Sequence, residues 1–103
     1  MYQLTRIFPD EERFRLRDQI CRCASSVAAN IVEGHARYGN REYIQFLYIA
    51  RGSTEETRYH LLLARDLGYI KNGQYEELDK AYVGVSKMLN ALISSLRRKN
   101  ASL

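Results

Sequence analysis

Residues 40–67 read NREYIQFLYIARGSTEETRYHLLLARDL. Asn40 is a good N-cap type and Glu42 suits the first turn, while Gly68, just beyond, has the freedom of an αL cap. The spacing predicts one helix of about 42 Å at 1.5 Å per residue. Within it Tyr43, Ile44, Phe46, Leu47, Tyr48, Ile49 and Ala50 leave Gln45 as the one polar residue of an eight-residue block. These apolar side chains span about 260° of the helical wheel, where a surface helix shows a stripe nearer 100–150°. Such a helix must be covered on more than one side, and that requirement sets the fold class: all-α, with this helix central.

The flanking segments supply the covers. Pro9 followed by Asp10, Glu11 and Glu12 reads as a helix start, with acids at the positive end of the dipole. Leu16, Ile20, Cys23, Ala24, Val27, Ala28 and Ile31 then recur at steps of three and four, and Gly34 is the expected stop. After the Tyr69–Gly73 turn, with Asn72 as its cap, Leu78, Ala81, Tyr82, Val85, Met88, Leu89, Leu92, Ile93 and Leu96 form the stripe of a last helix closed by Arg97, Arg98 and Lys99. The expected elements are 9–34, 40–67 and 74–98, with residues 1–8 as the end of an earlier helix carrying Tyr2, Leu4 and Ile7. The whole chain, 1–103, is one domain. Short loops between long helices make antiparallel up-down neighbours.

Composition agrees. One Pro, six Gly and no Trp in 103 residues leave too few turns for a many-stranded β fold. No apolar run reaches the roughly 18 residues of a membrane span, and MYQLTRIFPDEER has no signal-peptide stretch, so a cytoplasmic location without membrane contact is expected. Cys21 and Cys23 point about 200° apart on a helix and cannot bridge or share a metal; both are expected as reduced, mostly buried thiols.

Two readings compete for the block at 43–50. Either the helix is simply central in its own bundle, or part of its outer face is a subunit interface formed by Tyr43, Ile44, Phe46, Leu47 and Tyr48. The second is favoured, because there are few other helices to wrap the arc and the eight Tyr belong to a residue type enriched at interfaces. Beyond the block, Arg51 to Arg58 is small or polar. Arg51 is expected opposite Arg22 and Cys23, and Glu56 level with Gly84 and near Lys87, in a network that sets helix register.

No catalytic constellation is present. His35 and His60 are far apart, no metal-ligand spacing occurs, and there is no P-loop, G-x-G-x-x-G or G-x-S-x-G. No cofactor or metal is expected, and the chain reads as a non-enzyme. The basic residues carry more information. Sixteen Lys+Arg against twelve Asp+Glu give +4. Arg13, Arg15, Arg17 and Arg22 cluster within ten residues, Arg97, Arg98 and Lys99 form a second group, and Arg is the residue whose planar fork holds phosphate through two oxygens. Both groups are candidate nucleic-acid contacts. Arg15 and Arg22, about 20° short of two full turns apart, are expected to face solvent on one side.

The runs FPDEERF, SSVAANIVEGHAR, REYIQFLYIARGSTEET and LLLARDLGYI together resemble the family of small four-helix-bundle proteins encoded in intervening sequences of bacterial 23S ribosomal RNA genes, to which the accessory variability determinant of diversity-generating retroelements belongs. The resemblance spans about Tyr2 to Leu96. Its most specific residues are Asn30, Ile31, Glu33 and Gly34, then Tyr48 to Ser53 with Glu56. It implies a four-helix bundle assembled as a homopentamer, with Asn30, Glu33, Gly34, Arg51, Gly52, Ser53 and Glu56 structural, and no known enzymatic activity. In the retroelement branch it implies a basic surface for RNA or DNA and a reverse transcriptase partner. Two features depart from the pattern: some twenty residues that usually precede Tyr2 are missing, so most of the first helix is expected to be absent, and Ala28 stands where Pro is usual. The expected function is a non-catalytic oligomeric scaffold or nucleic-acid-binding accessory. The alternative is a protein-interaction scaffold without nucleic-acid contact.

Overall fold

The computed structural model describes residues 10–102 as three helices: α1, Asp10–His35; α2, Asn40–Asp66; and α3, Asn72–Ser102. No helix among the described residues is long and apolar enough to cross a membrane. The expected helical end at residues 1–8 lies outside the described residues.

Helix ends show where local chemistry and packing compete. α1 opens on Asp10, Glu11 and Glu12, as the dipole favours. Gly34, expected as its stop, is instead a buried residue inside the helix, which runs on to His35. A Cβ there would lie 2.7 Å from Phe46 Cβ and 2.9 Å from Tyr43 Cδ1, so the glycine is needed for close approach of α2. The cap of α2 is Gly39, at φ 88°, and not Asn40, which is the first helical residue. The far end of α2 follows expectation: Gly68 sits at φ 79°, with its N–H on Arg65 O and the Tyr69 N–H on Ala64 O, a Schellman closure. α3 begins at Asn72 itself rather than being capped by it. The Lys71 N–H ahead of it is held by Gln74 Oε1 at 3.0 Å, so Gln74 supplies the cap from inside the helix.

The Cα envelope measures 60 × 22 × 13 Å. Its thin dimension is close to one helix diameter, and the helices lie side by side in one layer. α2 is central; among the described residues α1 and α3 each pack on α2 and not on each other. Contacts descend one helix as they climb the next. Cys23, Ser26 and Gly34 of α1 meet Glu56, Ser53 and Phe46 of α2, and Arg51, Glu55 and Arg58 of α2 meet Asn90, Ser86 and Asp79 of α3.

The core gathers Val27, Ile44, Leu47, Ala50, Leu89, Ile93 and Leu96. Ile44 and Leu47, expected at a subunit interface, are therefore buried in the chain's own core. That cluster draws residues from all three helices, so both neighbours of α2 contribute to it. Tyr43, Phe46 and Tyr48 are half-buried, and two of these rings are roofed by guanidinium groups: Arg37 lies 5.1 Å from the Phe46 centroid and Arg51 4.9 Å from that of Tyr48. Of the two thiols Cys23 is buried and Cys21 is exposed, as their angular separation demands; the expectation of two buried thiols fails at Cys21.

Candidate nucleic-acid interface and the polar seams behind it

Two seams fix the register of the layer. Between α1 and α2, the Ser26 and Ser53 hydroxyls meet at 2.9 Å. Asn30 Nδ2 donates to Ser26 O at 2.8 Å and to Ser26 Oγ at 3.0 Å. The Cys23 thiol donates to Glu56 Oε2 at 3.4 Å. Burial, then the bond to Glu56 and its negative charge, push the Cys23 thiol above its ordinary value, with Arg22 opposing. Small residues allow the approach: Ser26 faces Ser53, and Gly34 faces Phe46 and Tyr43.

Between α2 and α3 the seam is ionic. Arg58 Nε and Nη2 fork onto Asp79 Oδ1 and Oδ2 at 2.8 and 3.4 Å, and Nη1 reaches Glu55. The bond to Asp79 raises the Arg58 pKa above its usual value. Ser86 Oγ donates to Glu55 at 3.3 Å, and Arg51 Nη1 donates to Asn90 Oδ1 at 3.0 Å.

The residues singled out by the sequence divide between these seams and the surface. Asn30, Gly34, Ser53 and Glu56 come together on the α1–α2 seam. Arg51 faces α3, not Arg22 and Cys23. Glu56 turns to Cys23, while its neighbour Glu55 takes the expected place beside α3. Glu33 is exposed and pairs with Arg37 at 2.8 Å. Gly52 has no atom within 4 Å of a Cβ built on it.

The arginines of α1 are partly engaged. Arg13 lies 5.3 Å over the Tyr69 ring, and Arg15 pairs with Glu12 at 3.2 Å. Arg15 and Arg22 are exposed, as expected, and so is Arg17. A cleft of about 560 Å³ opens between Arg13, Phe14, Arg17 and Ile20 of α1 and Ala64 and Ile70 near the end of α2. Its lining mixes apolar side chains with arginines, the Asp10 carboxylate and the Cys21 thiol. Among the described residues no group of three His, Cys, Asp or Glu could hold a metal ion. Arg97, Arg98 and Lys99 are exposed in the turn directly after Leu96. Leu96 packs in the core with Ile44, at the start of α2, whereas Arg13 packs on Tyr69, just past the end of α2. The two basic groups thus lie at opposite ends of the layer. Sequence inspection missed that Arg37 and Arg41 share the second end; their distance from the helix boundaries was the available signal.

No curated protein matches this chain. Among solved structures it is similar to a protein of unknown function from the S23 ribosomal protein family of Bacteroides thetaiotaomicron, at 32% identity and a TM-score of 0.74, over 76% of this chain and 72% of that one. The family model for 23S rRNA-intervening sequence proteins matches residues 1–91. Its match takes in both seams and both turns, and the chain belongs to the 23S rRNA-intervening sequence protein family.

Proposed function

We propose that this protein is a non-catalytic scaffold, an antiparallel up-down bundle of the four-helix type that works as a homo-oligomer and contacts nucleic acid. The observation that carries the reading is the one-layer arrangement. Among the described residues each edge helix packs on α2 alone and leaves large apolar side chains in water: Phe14 is 61% and Val32 69% exposed on α1, and Leu78 is 42% and Met88 53% exposed on α3. Fully burying such a side chain stabilises by roughly 1.5–3 kcal/mol, and the net stability of a domain is only about 5–15 kcal/mol. Joining the α1 edge of one copy to the α3 edge of the next covers both, and a head-to-tail joint of this kind closes into a ring when the rotation allows. The choice of five subunits follows the family resemblance. A pentamer would carry about +20 formal charge, enough to raise a potential of several kT and attract a phosphate backbone.

Light scattering on dilute protein tests the assembly. The expected mass is about five times that of the chain, dropping to that of the single chain in Phe14→Asp with Met88→Asp. A wild-type monomer would overturn the oligomer reading.

A further inference from the structure

We infer that the nucleic-acid contact is the end of the layer built by Arg41, Arg97, Arg98 and Lys99, with Arg37 at its rim, and not the arginine-rich face of α1. The inference rests on the nucleic-acid reading above and names its residues.

The placement follows from the core. Ile44 and Leu96 share one buried cluster. Arg41 lies one turn before Ile44 on α2, and residues 97–99 lie in the turn after Leu96 on α3. Both leave the core at the same end, and the contacts descending α3 as they climb α2 require it. The loop between α1 and α2 brings Arg37 to that end, over Phe46. Arg41, Arg97, Arg98 and Lys99 are all exposed. Two helices and a loop thus deliver five cations, against the carboxylates of Glu33 and Glu42.

The local chemistry separates the two ends. On α1 the four arginines between Arg13 and Arg22 share their stretch with Asp10, Glu11, Glu12 and Asp18, so its formal charge is balanced. There Arg15 is paired and Arg13 is stacked. At the other end Glu33 engages Arg37, while Arg41, Arg97 and Lys99 have no ion pair among the described residues. Arg41 is also placed against the dipole. It occupies the first turn of α2, where positive charge already accumulates and a cation destabilises. An unpaired cation kept in such a position, facing two more from a second helix, suits an extended anion that touches all of them. Arginines in this array can each fork onto a phosphodiester.

The test is fluorescence anisotropy of the full chain with labelled RNA and DNA duplexes of equal length, titrated with salt. The variants are Arg41→Gln, Arg97→Gln and Lys99→Gln combined, and Arg15→Gln with Arg22→Gln. Gln at exposed helical positions keeps the helices, and circular dichroism melts of each variant verify it. The end variant is expected to weaken binding tenfold or more at low salt. It should also lower the slope of log affinity against log salt by about two to three on DNA, while the α1 variant changes affinity less than threefold. The tighter of the two duplexes identifies the source of the phosphodiester. If the wild type binds and the end variant binds equally well, this assignment falls while the nucleic-acid reading stands. If the wild type binds neither duplex at low salt, both fall.

Discussion

Adding one methyl group at Gly34 tests whether α1 and α2 are held together by close backbone approach. The new Cβ would sit 2.7 Å from Phe46 Cβ and 2.9 Å from Tyr43 Cδ1, where carbon atoms rest at about 3.5–4.0 Å. Tyr43 can rotate its ring, but Phe46 Cβ is fixed to the α2 backbone, so the helices must part by most of an ångström. Overpacking of this kind costs about 1–3 kcal/mol, offset by at most about 1 kcal/mol of helix propensity gained on replacing Gly. Gly52→Ala is the internal control. Gly52 lies in the interior of α2 with nothing within 4 Å of its Cβ site, and there the propensity gain of about 1 kcal/mol should appear undiminished. In a domain this small 1 kcal/mol moves Tm by about 4–8 °C. Circular dichroism melts should therefore show Gly34→Ala below the wild type and Gly52→Ala above it. The control carries a second reading: if a neighbouring copy approaches α2 at Gly52, the added methyl lowers the oligomer mass instead. A Gly34→Ala protein stabilised as much as Gly52→Ala would refute the close-approach account of the α1–α2 seam.

The two thiols should behave differently: thiol reagent added to the native protein should label Cys21 promptly and Cys23 only on unfolding, and two fast thiols would contradict the burial of Cys23. Because the folded Cys23 pKa is raised, its contribution to stability is complete below the ordinary thiol value and is lost as pH rises through the folded one. As pH rises above the ordinary thiol range the wild type should lose more stability than Cys23→Ala, and parallel losses would remove the linkage. Arg58→Ala, which breaks the fork onto Asp79 and the contact to Glu55, should cost about 1–2 kcal/mol in urea unfolding, less at high salt. Arg15→Ala, whose pair with Glu12 is open to water, should stay within about 0.5 kcal/mol of the wild type; equal effects would mean that the α2–α3 seam does not fix register.

Hydrophobic periodicity was enough to place all three helices, because each buries one face against a neighbour and that face repeats every three or four residues. Gly68 was legible for the same kind of local reason: a turn with positive φ has few residue types to choose from. Gly34 was not. A helix stop and a site of close approach both call for glycine, and the difference lies in Phe46, twelve residues away on another helix. Asn40 shows the converse, since a good capping residue beside Gly39 yields the cap position to a glycine already at φ 88°. The register of the seams also lay out of reach. Glu55 and Glu56 are adjacent in sequence, yet one faces α3 and the other α1, and a shift of one residue exchanges them.

Within the block at 43–50 Ile44 and Leu47 lie in the chain's own core, and the half-buried rings beside them have a cover that also bears on the charge. Wheel geometry counts helices as the only covers, but in this protein arginine side chains cover rings as well. Arg13, Arg37, Arg51 and Arg65 lie within 5.3 Å of the centroids of Tyr69, Phe46, Tyr48 and Tyr75. A guanidinium is planar and weakly hydrated, so it stacks on a ring while its edge stays wet, which a lysine does less well. Twelve of the sixteen basic residues are Arg, and that preference has a structural use before any phosphate is invoked. A stacked guanidinium keeps its charge but surrenders its freedom to reorient toward a ligand. Counting arginines along the chain therefore overstates the surface available to nucleic acid on α1, where Arg13 is stacked and Arg15 paired. The cations left unengaged are the better guide: Arg17 and Arg22 stand singly among acids, whereas Arg41, Arg97 and Lys99 converge from two helices on one end.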